Sequence, residues 1–455
     1  MLHVTSRTII RLPSDGIIRV NHPAVSIILV QRLWQACSGL VTMILIAYFL
    51  SPVEQGWYYS FLSLAALYTL FDLGLSVVLI QISAHLFIRL RWLAGGAAEG
   101  ENLGHFQALL GRSSRLYLLL ALAFSFLILP AGLLFFSARD GVALLPGGQW
   151  EAPWVMLIVV TAMGILALPF LALVEGSGRV GEVYGVRLAQ GVLGSFACWI
   201  VLATGGGLWA TVMLPAMGLL VALGWLLTIR PALFHAAWHH AGKELEWRRD
   251  VWPLQWRIGL SWLSGYLLTQ IYTPILFHTQ GAVVAGQMGL SLTIANMLGL
   301  LAQSWIARSV PAMAQAVGRG DWHALDRMFA RDFVVSIVAF VGVALLLCGL
   351  HVLLQASAYG TRLLPFWPFV GLLGVALIGH IIGALAAQLR SFRREPLVWL
   401  SVAGALLTVP AAVWAASVYS AEGVVSVMFG VQFLFMLPVS VVIWKRRNHE
   451  WRPAA

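Results

Sequence analysis

The chain has 455 residues, 60% hydrophobic and only 10% charged, with a mean hydropathy of +0.86. That composition excludes a soluble globular domain, and the apolar runs are continuous rather than alternating, which excludes the strands of an outer-membrane barrel. The formal net charge of +10 reads as membrane topology and contact with anionic headgroups, not as nucleic-acid binding.

In chain order, the runs predict an all-α integral membrane protein with twelve transmembrane helices. Residues 1–24 form a cytoplasmic N-terminal segment. It carries Arg7, Arg11 and Arg19 but also Pro13, Asp15 and Pro23, and leads into a full-length span with no small-residue cleavage site, unlike a signal peptide. Spans follow at 25–50, 57–86, 114–136, 153–175, 183–204 and 208–229. A polar cytoplasmic linker covers 230–255, and further spans lie at 256–278, 283–306, 333–356, 365–388, 397–418 and 423–444, before a cytoplasmic tail at 445–455. Each span is near the ~20 residues a bilayer demands. An even number of spans precedes the linker, so both halves enter the membrane in the same orientation. The expected architecture is an N-lobe (25–229) and a C-lobe (256–444) related by a pseudo-twofold along the membrane normal.

Arginine and lysine placement sets the orientation. With both termini inside, 25 of the 28 Lys/Arg lie on the cytoplasmic side, Arg139 and Arg362 lie outside, and Arg32 lies within a span, as the positive-inside rule requires. Cys37, Cys198 and Cys348 all fall inside spans, and their odd number and wide separation argue against a disulfide framework or a metal site.

The run "LYTLFDLGLSVVLI" at 67–80 holds a single carboxylate, Asp72. Counting from Trp57 puts Asp72 ~22 Å into the membrane, and Arg32 enters from the opposite side to a depth of ~12 Å. An unpaired charge there costs on the order of 3 kcal/mol, so the two are expected to meet across adjacent antiparallel helices. Either the pair fixes the packing of the first two helices, or Arg32 faces a cleft and meets an anionic headgroup while Asp72 holds it. Gln31 and Gln35 flank Arg32, and Gln35 shares its face. In the second half, Trp262, Tyr266, Thr269, Gln270 and Thr273 recur along one span, and Thr293, Asn296 and Gln303 along the next. Amides and aromatic rings suit sugar hydroxyls and pyranose faces, and serve ordinary interhelical hydrogen bonds equally well. Arg187, Arg257 and Arg308 sit near span ends at the cytoplasmic rim, where they either snorkel to headgroups or ring a mouth suited to a pyrophosphate.

Other matches dissolve on inspection. "GSGRVG" (176–181) follows a membrane helix rather than a strand and reads as a turn. His235, His239 and His240 have helical spacing but no further ligand cluster, and read as a solvated face. His351 and His380 read as satisfied core histidines before proton relays, and "GHIIG" (379–383) as a close-packing element. No catalytic group, metal site or cofactor motif is expected.

Three segments carry a family resemblance. "GWYYSFLSLAALYTLFDLGLSVVLIQ", with its Gly-aromatic start and acidic-Leu-Gly near the inner end, resembles the second helix of oligosaccharide-lipid (Wzx-type) flippases. "GQMGLSLTIANMLGLLAQSWIARSVPAMAQAVGRGDWHALDRMFAR" (286–331) resembles their eighth helix and its cytoplasmic exit, and "VEGSGRVGEVYGVRLAQ" (174–190) their turn between helices four and five. These flippases belong to the multidrug/oligosaccharidyl-lipid/polysaccharide exporter superfamily. The resemblance implies a MATE-like fold in a bacterial cytoplasmic (inner) membrane, alternating access, and translocation of a polyprenyl-pyrophosphate-linked oligosaccharide to the periplasmic leaflet. It also implies membrane lipids as partners, and work beside polysaccharide polymerase and glycosyltransferase machinery. The alternatives are a cation-coupled multidrug exporter, which needs more buried carboxylates than Asp72, and a membrane-embedded polymerase or glycosyltransferase. The latter needs clustered outer acids, whereas Glu54, Asp140, Glu151 and Glu422 stand singly.

Overall fold

The computed structural model describes residues 22–137, 145, 148–238, 252–357, 359–392 and 394–452. It is nearly all helical. Among the described residues, nine helices are long and apolar enough to cross a membrane, and a bent pair, Pro52–Asp72 with Leu75–Arg89, makes a tenth. This is a multi-pass membrane protein.

The first half begins with α1 (His22–Phe49). The second span is built from α2 (Pro52–Ala65), α3 (Tyr68–Asp72) and α4 (Leu75–Leu86). Ser51 caps α2 through a capping box with Glu54, which satisfies two backbone donors at the helix start. Leu73 (φ 45°) and Gly74 (φ 69°) both lie in the left-handed region, so the Asp-Leu-Gly of the sequence is a helix break, strained at Leu73 and free of strain at Gly74. A short hairpin of β1 (Leu90–Trp92) and β2 (Ala98–Gly100) follows, with Arg91 directly opposite Glu99. Then come α5 (Leu103–Ser137), α6 (Glu151–Ile165), α7 (Leu168–Gly176), α8 (Val180–Ala203), α9 (Ala210–Thr228) and α10 (Pro231–Trp238).

The second half comprises α11 (Trp252–Thr269), α12 (Tyr272–Gln280), α13 (Ala282–Arg319), α14 (Trp322–Gln355), α15 (Phe366–Arg390) and α16 (Val398–Val431). A π-helical turn at Gln432–Met436 leads into α17 (Leu437–Glu450).

The way the helices divide the expected spans has local causes. Pro169 and Pro274 lack the N–H that would bond the carbonyl four residues earlier, and breaks accordingly fall between α6 and α7 and between α11 and α12. The expected span 256–278 is therefore two pieces. The expected spans 397–418 and 423–444 run on as one stretch, Val398–Glu450, with a backbone break at Ser420 (φ 55°, ψ −146°). The three cysteines are free thiols. The turn read from "GSGRVG" is present, with Gly178 at φ 87° between α7 and α8.

Helix α2 is buried on nearly every side. Its Trp57 packs against Phe61, Phe136, Trp150 and Phe277 at ring-centroid distances of 5.0–5.9 Å, within the range of favourable aromatic contacts. The cluster ties both halves together at the end of the bundle that carries few arginines. Near the Arg-rich end, ion pairs act within each half instead. Buried Arg230 bonds Glu182 at 2.6 Å and stacks on Trp92 of the hairpin at 4.6 Å. The first residue of the expected 230–255 linker is thus part of the first half's packing. His239 and His240 lie outside the described residues.

Candidate functional site

A cavity of about 530 Å³ opens within the first half, between α1, the α2–α4 span, α6–α7, α8 and α9. Its polar lining is Gln31, Gln35, Tyr68, Ser76, Thr161, Arg187 and Gln190, and no carboxylate faces it. Arg187 is held from α7 by Glu175 at 2.8 Å and lies over the Tyr184 ring. Gln190 donates to the Gly218 carbonyl at 2.7 Å. The volume is in the range of small-molecule sites, and the few convergent polar groups in an apolar wall are typical of them.

Asp72 sits just behind this wall, and its partner is not Arg32. One carboxylate oxygen, Oδ1, accepts from the Ser76 hydroxyl at 2.7 Å and from the Tyr117 hydroxyl, and the two hydroxyls lie 3.0 Å apart. Asp72 and Tyr117 are both buried. The break that follows Asp72 brings the first turn of α4, with Ser76, onto the carboxylate, and Tyr117 reaches it from α5. That first turn is also where a helix dipole favours negative charge. Arg32 is exposed and makes no hydrogen bond or ion pair among the described residues. It lies one heptad before Gly39, hence on nearly the same face, and Gly39 faces Met297 of α13. Arg32 thus points toward the space between α1 and the second half.

The two halves meet tightly at the Arg-poor end. A Cβ on Gly56 would fall 1.8 Å from the Ala282 carbonyl oxygen, so only glycine lets α2 cross α13 here. Gln55 donates from one amide nitrogen to the carbonyls of Gly286 (2.9 Å) and Arg362 (3.0 Å). Further along α2, the Tyr266 hydroxyl donates to the Ser63 carbonyl at 3.1 Å, and the Ser63 hydroxyl donates to the Gln270 carbonyl.

The expected residues therefore divide among several places. Gln35 and Arg187 line the first-half cavity. Tyr266 and the Gln270 backbone form the contact with α2, while the Gln270 side chain is exposed. Asn296 is half-buried with no hydrogen-bond partner among the described residues. Gln303 Oε1 lies 3.1 Å from His380 Nδ1, and His380 Nε2 lies 2.9 Å from the Ser336 hydroxyl. A carbonyl oxygen only accepts, so Nδ1 carries the proton, and His380 is a satisfied core histidine. His351 bonds the Leu364 carbonyl at 2.8 Å. Arg308 is bound by Asp332 at 3.1 Å. The Arg257 side chain lies outside the described residues.

Three functional candidates escaped the sequence. Tyr117 was invisible as a partner because the rotation of α5 about its axis sets the contact. Ser76 was readable, standing four residues after Asp72 on the same helical face. Asp332 is fully buried and accepts from Ser309, Arg308 at 3.1 Å and Arg331 at 3.0 Å, although its position at a span boundary suggested a solvated loop. The Asp321 cap, whose Oδ1 accepts from the Ala324 amide at 2.9 Å, marks a helix start eleven residues earlier and was the usable signal. A second, smaller cavity of about 280 Å³ lies between α11, α15, α16 and the π-turn, reached by Ser261, Thr269, Ser401 and Gln432.

No family model and no curated protein matches the sequence. Solved structures do match. A multidrug resistance MATE family transporter of the MOP superfamily in its inward-facing conformation aligns with a TM-score of 0.68 at 13% identity, over 95% of this chain and 99% of that one. The fold is that of a MATE-type transporter. An outward-facing conformation of a MATE family transporter aligns less closely, with a TM-score of 0.54 at 12% identity over 95% and 96% of the two chains. A MOP superfamily transporter from Pyrococcus furiosus, described as having a binding pocket of reverse polarity that suggests a different function, gives 0.54 at 12% identity over 95% and 96%. At these identities the likeness to MATE-type structures concerns the fold alone.

Proposed function

We propose that the protein is an alternating-access flippase that carries a polyprenyl-pyrophosphate-linked oligosaccharide from the cytoplasmic to the periplasmic leaflet of a bacterial inner membrane, with both termini cytoplasmic. The observation that carries this reading is the polarity of the free groups: Arg32 is exposed and unpaired, the first-half cavity is lined by Arg187 and amides, and Asp72 is already engaged by Tyr117 and Ser76. An intramembrane arginine without a counter-ion awaits an anion. Amides and Tyr68 around the cavity suit sugar hydroxyls and ring faces. In this reading the Arg-poor end is periplasmic. Its tight closure, together with the better fit to an inward-facing transporter, supports reading this state as open to the cytoplasm, with the halves 25–229 and 256–444 rocking about the α2–α13 crossing. Gln35, Tyr266, Gln270, Asn296 and Gln303 line the path of the glycan, and Arg257 and Arg308 stand at its cytoplasmic mouth.

A cation-coupled multidrug exporter is the second reading. It is favoured by Asp72 standing one hydrogen bond behind the cavity wall, through Ser76, and by structural neighbours named for multidrug resistance. Proteoliposomes separate the two. With a fluorescent lipid-linked oligosaccharide, the wild-type protein should accelerate flipping, and a stably inserted Arg32→Ala protein should be at least tenfold slower. Wild-type flipping rates from Arg32→Ala would overturn the role of Arg32. Proton-driven ethidium transport with no oligosaccharide flipping would establish the exporter instead.

A further inference from the structure

A second groove, unrelated to the first-half cavity, runs along the membrane face between the two halves. It has a volume of about 560 Å³ and lies between α1, α13 and α14, with walls from residues such as Met43, Ile44, Ile294, Leu301 and Leu350. Ile44, Leu301 and Leu350 are each at least half exposed, so the groove is open on its side to the bilayer. Its walls are almost wholly carbon. At the Arg-poor rim stand Tyr48, Tyr359 and Arg362.

Two features define the occupant. Along α13 the groove extends from Leu290 to Leu301, ~16 Å at the rise of a helix, close to the ~15 Å depth of one leaflet's hydrocarbon. Gly39 packs against the Met297 methyl partway along, and the lining ends at Leu301, about one leaflet's depth from the outer rim. A single acyl chain fills it, whereas an isoprenoid long enough to cross both leaflets does not. At the outer end Arg362 is the one arginine or lysine of that rim among the described residues. Its Nη1 is buried and has no hydrogen-bond partner. Burial holds its guanidinium below the ordinary arginine range, opposed by the nearby Tyr359 and Glu54. A guanidinium nitrogen buried without an acceptor is costly, and a phosphate oxygen is an acceptor that fits it.

We infer that this groove binds an anionic phospholipid of the leaflet at the Arg-poor end, with one acyl chain between α1 and α13–α14 and its phosphate on Arg362. The inference rests on the membrane fold and not on the identity of the transported substrate. Because α1 belongs to the first half and α13, α14 and Arg362 to the second, the bound lipid bridges them. Gln55 holds the Arg362 carbonyl in this closed arrangement, so the lipid selects the state in which the Arg-poor end is shut.

The test is native mass spectrometry of the full-length protein titrated with phosphatidylglycerol or with phosphatidylcholine of the same chains. Phosphatidylglycerol should bind at least tenfold more tightly. Arg362→Gln should remove that preference, and Leu350→Trp, which fills the groove, should weaken both lipids. Leu346→Trp, on a neighbouring exposed face outside the groove, should change neither, which controls for the bulk of the new side chain. Circular dichroism and monodispersity of each variant establish that it is folded. Equal affinity for the two lipids, or a headgroup preference that survives Arg362→Gln, would overturn the inference. So would tighter binding of a polyprenyl monophosphate, blocked by Leu350→Trp, since the groove would then serve the carrier lipid.

Discussion

If the Asp72 carboxylate is held by Tyr117 and Ser76, double-mutant cycles should couple Asp72 to Tyr117 and leave it uncoupled from Arg32. Asp72 accepts two hydroxyl hydrogen bonds in a buried setting, and a hydrogen bond to a charged group contributes ~1.5–3 kcal/mol. Tyr117→Phe deletes one of them with little change of shape and should cost ~1.5–3 kcal/mol. Asp72→Asn keeps an acceptor and loses the charge, so it should cost about half as much, since charge-assisted bonds are roughly twice as strong as neutral ones. The Asp72→Asn/Tyr117→Phe cycle should give a coupling within the ~0.5–3 kcal/mol seen for contacting residues. The Arg32→Leu/Asp72→Leu cycle should be additive within ~0.5 kcal/mol, because Arg32 is exposed and bonded to nothing described. Reversible unfolding of the purified protein in mixed micelles measures all of these. A gain of more than ~1 kcal/mol on adding Arg32→Leu to Asp72→Leu would refute this assignment, because only a stranded partner is rescued that way.

Two further expectations concern the second half and the crossing. Asp332→Ala removes three donors' common acceptor and should destabilise by ~3 kcal/mol or more, whereas Arg308→Ala leaves Ser309 and Arg331 in place and should cost under ~1 kcal/mol in the same assay. Gly56→Ala puts a Cβ into the Ala282 carbonyl and should shift the protein toward the state open at the Arg-poor end. Electron-spin distances between labels at Val53 and Val283 should lengthen by several ångströms, and unchanged distances in a folded variant would count against the crossing as the point of closure.

Most of the fold was legible because a bilayer leaves the backbone few options: continuous apolar runs of the right length can only be helices. The breaks were partly legible. Pro169 and Pro274 announce theirs by chemistry, whereas the left-handed turn at Leu73 is unreadable, since leucine has no preference for it. The site was less legible than the fold. Depth along a span can be counted from the sequence, and on depth alone Arg32 and Asp72 match. Azimuth cannot be counted once a helix is broken. The second span is already broken between Ala65 and Tyr68, before Asp72 is reached, and the carboxylate goes to Tyr117. Arg187 was expected at a span end and is found at the cavity because α7 brings Glu175 alongside it.

The distribution of charge bears on the proposed alternating access. Every ion pair among the described residues joins two residues of the same sequence half. What closes the Arg-poor end across the halves is different in kind: aromatic contact around Trp57 and Phe277, a glycine crossing, and the two amide hydrogen bonds of Gln55. Breaking a buried ion pair costs ~3–5 kcal/mol, while each neutral hydrogen bond contributes a net ~0.5–1.5 kcal/mol. Rigid halves joined by weak, uncharged contacts can separate without stranding a charge in the membrane. Moving such an equilibrium from 1:99 to 99:1 requires a ligand that distinguishes the states by ~5.5 kcal/mol. In the proposed mechanism a headgroup on Arg32, at ~1.5–3 kcal/mol for each charged hydrogen bond, supplies part of that difference, and further contacts with the cargo supply the rest.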